Sequence, residues 1–117
     1  IIEKTIYKIK KLNVKHKIYA SVGPCIGKKT YEVDNKFFKK FIKKSKKYHK
    51  YFTRKNEYKK LFNLRKFVAD KLIKQKVIVD HINRDTFKDK NNFFSYRRSS
   101  ILKQKDYGRC ISVISLT

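Results

Sequence analysis

Two adjacent arginines, Arg97 and Arg98, end an aromatic segment that reads Phe93-Phe94-Ser95-Tyr96. We expect this segment to be extended, so the two guanidinium groups would face opposite ways, since side chains alternate along a strand. Arginine binds phosphate oxygens through two parallel N–H groups. One arginine can therefore reach an anionic substrate while the other pairs with a carboxylate, for which the candidates are Asp80, Asp85 and Asp89. A structural ion pair plus a solvated cation is the alternative.

The glycine-containing turn 23–27, Gly23-Pro24-Cys25-Ile26-Gly27, is a second candidate site. It follows a predicted strand, where α/β proteins often place ligand-contacting loops. Gly23 and Cys25 are therefore candidate substrate contacts, and a plain tight turn around a small buried cysteine is the alternative. Arg109, directly after Gly108, is predicted to close a loop over the region of Arg97 and Arg98 or to have only a structural role.

The histidines and cysteines do not have the spacing of a metal site. His16, His49 and His81 are scattered, and Cys25 and Cys110 form no CxxC pair. We predict no metal ligand in this chain. Two separated thiols are typical of a reduced, cytoplasmic protein.

The charge is strongly positive, with 33 Lys and Arg against 9 Asp and Glu and a formal net charge of +24. Such a balance is typical of nucleic-acid-binding proteins. Lysine greatly outnumbers arginine, however, and Ile, Asn, Phe and Tyr are abundant, which favours a coding bias toward AT-rich codons. We therefore expect only non-specific nucleic-acid binding through lysines. No apolar run approaches the roughly 20 residues that span a bilayer.

Lysines and aromatics alternate between residues 36 and 55, a pattern that can bind single-stranded nucleic acid. The aromatic residues nevertheless keep helical spacing, because Phe37, Phe38, Phe41 and Ile42 fall on one face of a helix. We assign them to a core. The lysines then form a solvated helix face.

Periodicity and turn residues predict the elements that must position these side chains. Helices are expected over 1–12, from Asp34 or Asn35 onward, and over 58–75 with an Asp70–Lys74 pair. Residues 45–56 are expected to be a surface loop or a frayed helix end. Strands are expected over 17–22, 77–82, 93–97 and 110–116. This pattern predicts an α/β fold, a layered mixed-sheet domain with flanking helices. The absence of Met and the start at Ile1 indicate that the chain is an N-terminally truncated portion.

Three segments occur in the order and spacing of a known family: the turn 23–27, Tyr31-Glu32-Val33, and the aromatic-arginine segment with Gly108-Arg109 behind it. Together they resemble the C-terminal half of the YfiH-like family. Its members were first described as multicopper polyphenol oxidases, or laccase-domain proteins, and are zinc-dependent purine nucleoside phosphorylases. The resemblance implies that residues 1–117 are the C-terminal portion of a single YfiH-like domain.

The resemblance also implies an activity for the full-length protein. It would cleave adenosine, inosine, guanosine and methylthioadenosine with phosphate and would deaminate adenosine, so purine nucleosides and phosphate are the expected partners. Copper-dependent polyphenol oxidation, the laccase reaction, is the enzymatic alternative. A non-enzymatic basic RNA-binding module is the alternative from another class.

The family's zinc ligands, a His, a Cys and a second His, belong to segments before the matched part. The resemblance therefore implies that the zinc or copper ligands lie upstream of Ile1 and that this chain alone has no cofactor and little activity. The turn 23–27 and Tyr31-Glu32-Val33 would lie close to the active centre. The chain departs from the family at Asp85-Thr86, where Cys-Thr is usual.

Overall fold

The computed structural model describes residues 1–12 and 15–115. Its helices are α1 (Ile2–Leu12), α2 (Asn35–Lys44), α3 (Leu64–Lys74) and α4 (Tyr96–Ile101), with a 3₁₀ helix at Lys46–Tyr51. Its strands are β1 (Tyr19–Val22), β2 (Glu32–Asp34), β3 (Phe52–Arg54), β4 (Lys59–Phe62) and β5 (Ile78–His81). Within the described ranges, no helix has the length and apolar character needed to cross a membrane.

A parallel pair of strands, β1 and β5, forms the first sheet, with Tyr19 opposite Ile78 and Val22 opposite His81. The predicted strands 17–22 and 77–82 are thus confirmed in position. Helix α1, also as predicted, packs on this sheet together with α3. The contact is an aliphatic core whose buried members are Ile6, Leu72 and Val77.

An antiparallel sheet in the order β2-β4-β3 forms the second layer with α2. The predicted helix start is confirmed, because the Asp34 side chain accepts a hydrogen bond from the Phe37 backbone N–H at 2.7 Å. The apolar face of α2 packs into an aromatic core centred on Phe62, which is only 1% exposed. Phe41 lies 5.1 Å from Phe62 between ring centroids, in an edge-to-face arrangement that aromatic pairs favour.

Helix α3 lies between the two cores, since Phe67 packs on the aromatic core and Val68 on the aliphatic one. The prediction of a helix over 58–75 is wrong at its beginning. The Asn63 side chain caps the helix by accepting from the Lys66 backbone N–H at 3.1 Å, which fixes the start at Leu64. The residues before Asn63 pair in the antiparallel sheet instead.

The prediction of a surface loop or a frayed helix end over 45–56 is wrong for residues 52–54, and its loop alternative is wrong for 46–51. This stretch forms the 3₁₀ helix and β3, and both Tyr51 and Phe52 are buried in the aromatic core. The Tyr51 hydroxyl donates to Asp70 at 2.8 Å. Asp70 pairs with Lys66 and with a lysine of the 3₁₀ helix, so the predicted Asp70–Lys74 pair is not formed. Packing of two aromatics outweighed the local polarity that suggested a loop.

The two late strands that the sequence predicts are not formed among the described residues. Ser95 is extended and its hydroxyl accepts from the Arg98 backbone N–H, so it caps α4 and converts the predicted strand 93–97 into a helix start. Residues 110–115 are irregular and largely exposed, and Leu116 of the predicted strand lies outside the described residues. The α/β class with flanking helices is confirmed, and its parallel and antiparallel pairings belong to two separate sheets.

Candidate functional site

Two loops meet at the carboxyl ends of the parallel strands β1 and β5. The turn 23–27 follows β1, and residues 82–89 follow β5. Cys25 and Asp85 form an isolated parallel bridge, and the Thr86 backbone N–H donates to the Cys25 carbonyl at 3.2 Å. Ligands of open α/β sheets bind in the crevice beyond the carboxyl ends of the strands. The geometry therefore places the predicted turn at the edge where such a crevice forms.

The Asp85 carboxylate joins the two loops. It accepts a hydrogen bond from the Thr30 hydroxyl at 2.7 Å and from the Phe87 backbone N–H at 2.9 Å. Burial raises the pKa of Asp85, but hydrogen bonds from Thr30 and from the backbones of Phe87, Gly27 and Lys88 outweigh burial, and the pKa lies below its usual value. Asp85 is therefore an ionised structural group at neutral pH.

The close approach of Asp85 requires glycine at position 27. A Cβ on Gly27 would overlap the Asp85 carboxylate. The Gly27 carbonyl also accepts from the Thr30 and Tyr31 backbone N–H groups, at 3.0 and 2.9 Å. Gly23 is less constrained, since a Cβ there would meet only the Ser112 hydroxyl at 3.4 Å. This contact shows that the C-terminal segment passes beside the start of the turn.

Arg65, which sequence reasoning did not single out, holds the second loop against α3. Its guanidinium donates to the Asn83 side-chain oxygen at 2.9 Å and to the Arg84 carbonyl at 2.7 Å. Its Nε is buried and has no partner among the described residues. The Asn63 cap places Arg65 in the first turn of α3, and that capping signal is the one from which its position could have been found.

The thiol of Cys25 is half-buried and lies beside Arg65. Burial raises the pKa of Cys25, and the neighbouring guanidinium only partly offsets that rise. A thiol with a raised pKa stays protonated at neutral pH, whereas a nucleophilic cysteine needs its thiolate form. The sequence alternative of a small buried residue thus agrees with the environment of Cys25.

A groove of about 720 Å³ opens where these loops meet α3. Its cationic lining residues are Lys28, Lys29, Arg65, Lys66 and Lys88, its uncharged polar ones include Asn63, Asn83 and His81, and its acidic ones are Asp70 and Asp85. Both acids already accept hydrogen bonds from protein groups. The groove is therefore electropositive and suited to an anion such as phosphate.

The aromatic-arginine segment does not line this groove and has a different geometry from the predicted one. Arg98 donates to three backbone carbonyls, those of Thr86 and Phe87 at 2.8 Å and that of Phe93 at 2.5 Å. It thereby fixes the loop between β5 and α4. The predicted ion pair with Asp80, Asp85 or Asp89 is wrong for both arginines, because among the described residues each donates to backbone carbonyls.

Arg97 donates to the Glu32 carbonyl at 2.7 Å, and its guanidinium lies 5.3 Å from the ring centroid of Tyr31. The two arginines do diverge, but on the first turn of a helix and not on opposite faces of a strand. Arg109 is exposed and lies 4.7 Å from the ring centroid of Tyr107. A Cβ on Gly108 would overlap the Phe94 ring, so that glycine serves close packing.

The sequence model of a protein family described as multi-copper polyphenol oxidoreductase laccase matches residues 1–117. The chain belongs to this laccase-like YfiH family. The fold is similar to that of the crystal structure of the hypothetical protein YfiH of Bacillus licheniformis, with a TM-score of 0.71 and 19% identity. The match covers 86% of this chain and 40% of that protein, so the chain spans less than half of its length. Among curated proteins, none matches.

The name of the laccase-like YfiH family implies a metal, and the described residues do not fit one. Residues 1–12 and 15–115 contain no group of three or more His, Cys, Asp or Glu side chains that could hold an ion. His49 lies edge-on to Phe38, His81 lines the groove, and His16 is exposed. No step of a mechanism is therefore assigned to a metal bound by these side chains.

The groove lining does not include the five residues that the sequence indicated as substrate contacts, which are Gly23, Cys25, Arg97, Arg98 and Arg109. Gly23 and Cys25 belong to the turn at its edge, whereas the arginines lie around α4. Their roles in substrate binding remain predictions. Thr30 and the groove lysines were missed, because isolated hydroxyls and lysines in a lysine-rich chain carry no distinctive signal.

Proposed function

We propose that this chain is the C-terminal portion of a single YfiH-like domain and that the complete domain acts on purine nucleosides. It would cleave adenosine, inosine, guanosine and methylthioadenosine with phosphate and would deaminate adenosine. The enzyme-like family is shown by the match over residues 1–117, and the substrates are the proposal. The observation that supports it is the electropositive groove at the carboxyl ends of β1 and β5, built by the turn that carries the family motif.

The parallel sheet itself supports the view that more of the domain packs here. Parallel sheets are normally covered on both faces, and two strands alone are marginally stable. Tyr19 of β1 is 58% exposed and Ile78 of β5 is 47% exposed. Ile111, Val113 and Ile114 of the C-terminal segment are still more exposed. These apolar side chains are what the remainder of a YfiH-like fold would cover.

In phosphorolysis, the bond between the base nitrogen and sugar C1′ breaks, a phosphate oxygen bonds to C1′, and the base nitrogen takes a proton. The rate depends on holding phosphate close to the developing sugar cation. Lys28 and Lys29 supply positive charge for this purpose beside the turn. Arg97 is the second candidate, because Arg98 is committed to three carbonyls while Arg97 donates to one.

The proposal is tested by the coding sequence directly before Ile1 and by the protein that it encodes. An in-frame His-x-Gly-Trp-like motif is expected there. The longer protein, in the cytoplasm where we place it, should then release purine base from adenosine and inosine only when phosphate is added. Oxidation of a phenolic substrate with no base release would instead favour the laccase reaction, and a start codon without that motif would contradict the single-domain proposal.

A further inference from the structure

One stretch of the sequence contains positive charge and no negative charge. Residues 35–56 contain ten Lys and Arg and no Asp or Glu, whereas all nine acids of the chain lie outside this stretch. A codon bias toward lysine would raise the number of lysines everywhere. Residues 4–31 lack acids as well, but their eight lysines are spread over 28 residues, so 35–56 is the denser positive stretch.

Helix α2 presents this charge as one continuous face. Lys36, Lys39, Lys40 and Lys43 recur at spacings of three and four residues, so they lie on the same side of the helix. All four are exposed and line a shallow groove of about 370 Å³. Among the described residues none of the four forms an ion pair, in contrast to lysines elsewhere such as Lys71. We call these four residues the α2 lysine face.

An exposed aromatic ring lies close to one end of the α2 lysine face. The Asn35 side-chain amide donates to the Glu57 carbonyl at 3.1 Å, which holds the β3–β4 turn against the first residue of α2. Tyr58 in that turn is 70% exposed. The aromatics of α2 itself, by contrast, pack in the core. Tyr58 is thus a ring available to an external partner beside the lysines.

We propose that the α2 lysine face and Tyr58 bind single-stranded nucleic acid, with phosphates on the lysines and a base stacked on the tyrosine ring. Basic grooves with exposed aromatic rings bind single strands with little sequence preference. The face extends about 10 Å along α2, given a rise of about 1.5 Å per residue. An anionic membrane is a poorer partner, because the apolar face of α2 is already buried and has nothing to insert. This binding is independent of the proposed enzymatic function.

The test compares two variants that remove the same charge from different places. K36Q/K39Q/K40Q/K43Q neutralises the α2 lysine face, and K4Q/K8Q/K15Q/K17Q neutralises four exposed lysines on and after α1. Binding to fluorescent (dT)20 is measured by anisotropy between 50 and 300 mM salt. The first variant should bind (dT)20 at least tenfold more weakly at 100 mM salt. The slope of log affinity against log salt concentration should become shallower by about 3, because each of four phosphate contacts on a single strand contributes about 0.7. Equal losses in both variants would overturn the assignment to α2.

The role of Tyr58 is tested by Y58S with Y7S as its control, since Tyr7 is an exposed tyrosine on α1. Y58S should weaken (dT)20 binding about fivefold or more and leave a 20-base-pair duplex unaffected, while Y7S should change neither. Circular dichroism confirms that each variant is folded. Tighter binding of duplex than of (dT)20 would refute the single-strand proposal. Displacement of (dT)20 by phosphatidylserine vesicles at equal phosphate concentration would favour a membrane partner instead.

Discussion

Replacing Asp85 with alanine should destabilise the junction between the turn 23–27 and the loop 82–89. The substitution leaves the Phe87 backbone N–H without its acceptor and leaves the Thr30 hydroxyl only the Gly27 carbonyl, at 3.1 Å. Hydrogen bonds to charged groups contribute about 1.5–3 kcal/mol each, and loss of two is partly offset by water because the site is only half-buried. We expect a loss of about 2–3 kcal/mol in the free energy of unfolding. For a chain of this size that lowers Tm by roughly 10–20 °C.

The measurement is urea denaturation at neutral pH, with Asp106→Ala as the control. Asp106 is exposed and accepts only from the adjacent Tyr107 backbone N–H, so its loss should cost less than about 0.5 kcal/mol. Thr30→Val removes the donor from the same contact, so D85A and T30V should be non-additive in a double-mutant cycle. Additive losses, or equal stability of D85A and D106A, would refute the role of the Asp85–Thr30 hydrogen bond in joining the two loops.

The stabilising contribution of Asp85 should decrease as the pH is lowered. The pKa of Asp85 is lowered in the folded state, so its stabilising contribution is present above the unfolded value of about 3.9 and is lost as pH falls through the folded pKa. The difference in free energy of unfolding between the native chain and D85A should therefore be constant from pH 7 to pH 5. It should shrink below about pH 4. A difference that grew on acidification would contradict the ionised carboxylate.

Further predictions concern the helix start and the cores. Arg98→Ala should lower the free energy of unfolding, measured by urea denaturation, by about 2–4 kcal/mol because three carbonyls lose their donor. Arg97→Ala should lower it by about 1 kcal/mol because only one carbonyl is affected. Equal losses would contradict the assignment of the larger structural role to Arg98. Ser95→Ala should lower the free energy of unfolding by about 1 kcal/mol because it removes the hydroxyl that caps α4, and unchanged stability would contradict that cap. Phe62→Ala should lower the free energy of unfolding by about 3–5 kcal/mol, whereas Tyr58→Ala should leave it nearly unchanged. A small loss for Phe62→Ala would contradict the burial of this ring in the aromatic core.

The sequence predicted the parts of the fold in which local and global preferences agree. Helix α1 and the start of α2 follow from apolar periodicity and the Asp34 cap. Strand β1 follows from the alternation of residues 17–22 before Gly23-Pro24, and β5 from the β-branched run 77–82. The sequence-based prediction failed where long-range packing and local residue composition favour different structures. Tyr51 and Phe52 lie in a lysine-rich stretch that resembles a loop, yet both are buried because they pack against Phe67 of α3 and Phe41 of α2.

The site was predictable in outline only. Position after a strand identified the turn 23–27, and the structure puts that turn at the end of the parallel sheet. The partner loop could not be found, because it depends on an Asp85–Thr30 bond across 55 residues. The alternation argument for Arg97 and Arg98 failed for a local reason. Ser95 starts a helix, a role that its position among aromatics concealed.

The central claim, that the complete domain is a phosphate-dependent nucleoside-cleaving enzyme, is tested most directly by ³¹P NMR. The complete protein is incubated with adenosine and inorganic phosphate, and the phosphorus resonances are followed with base release measured in parallel. Ribose 1-phosphate and free base are expected in equal amounts, and K28Q/K29Q should have a higher KM for phosphate. Free ribose in place of ribose 1-phosphate, or no base release by a folded complete protein, would contradict it.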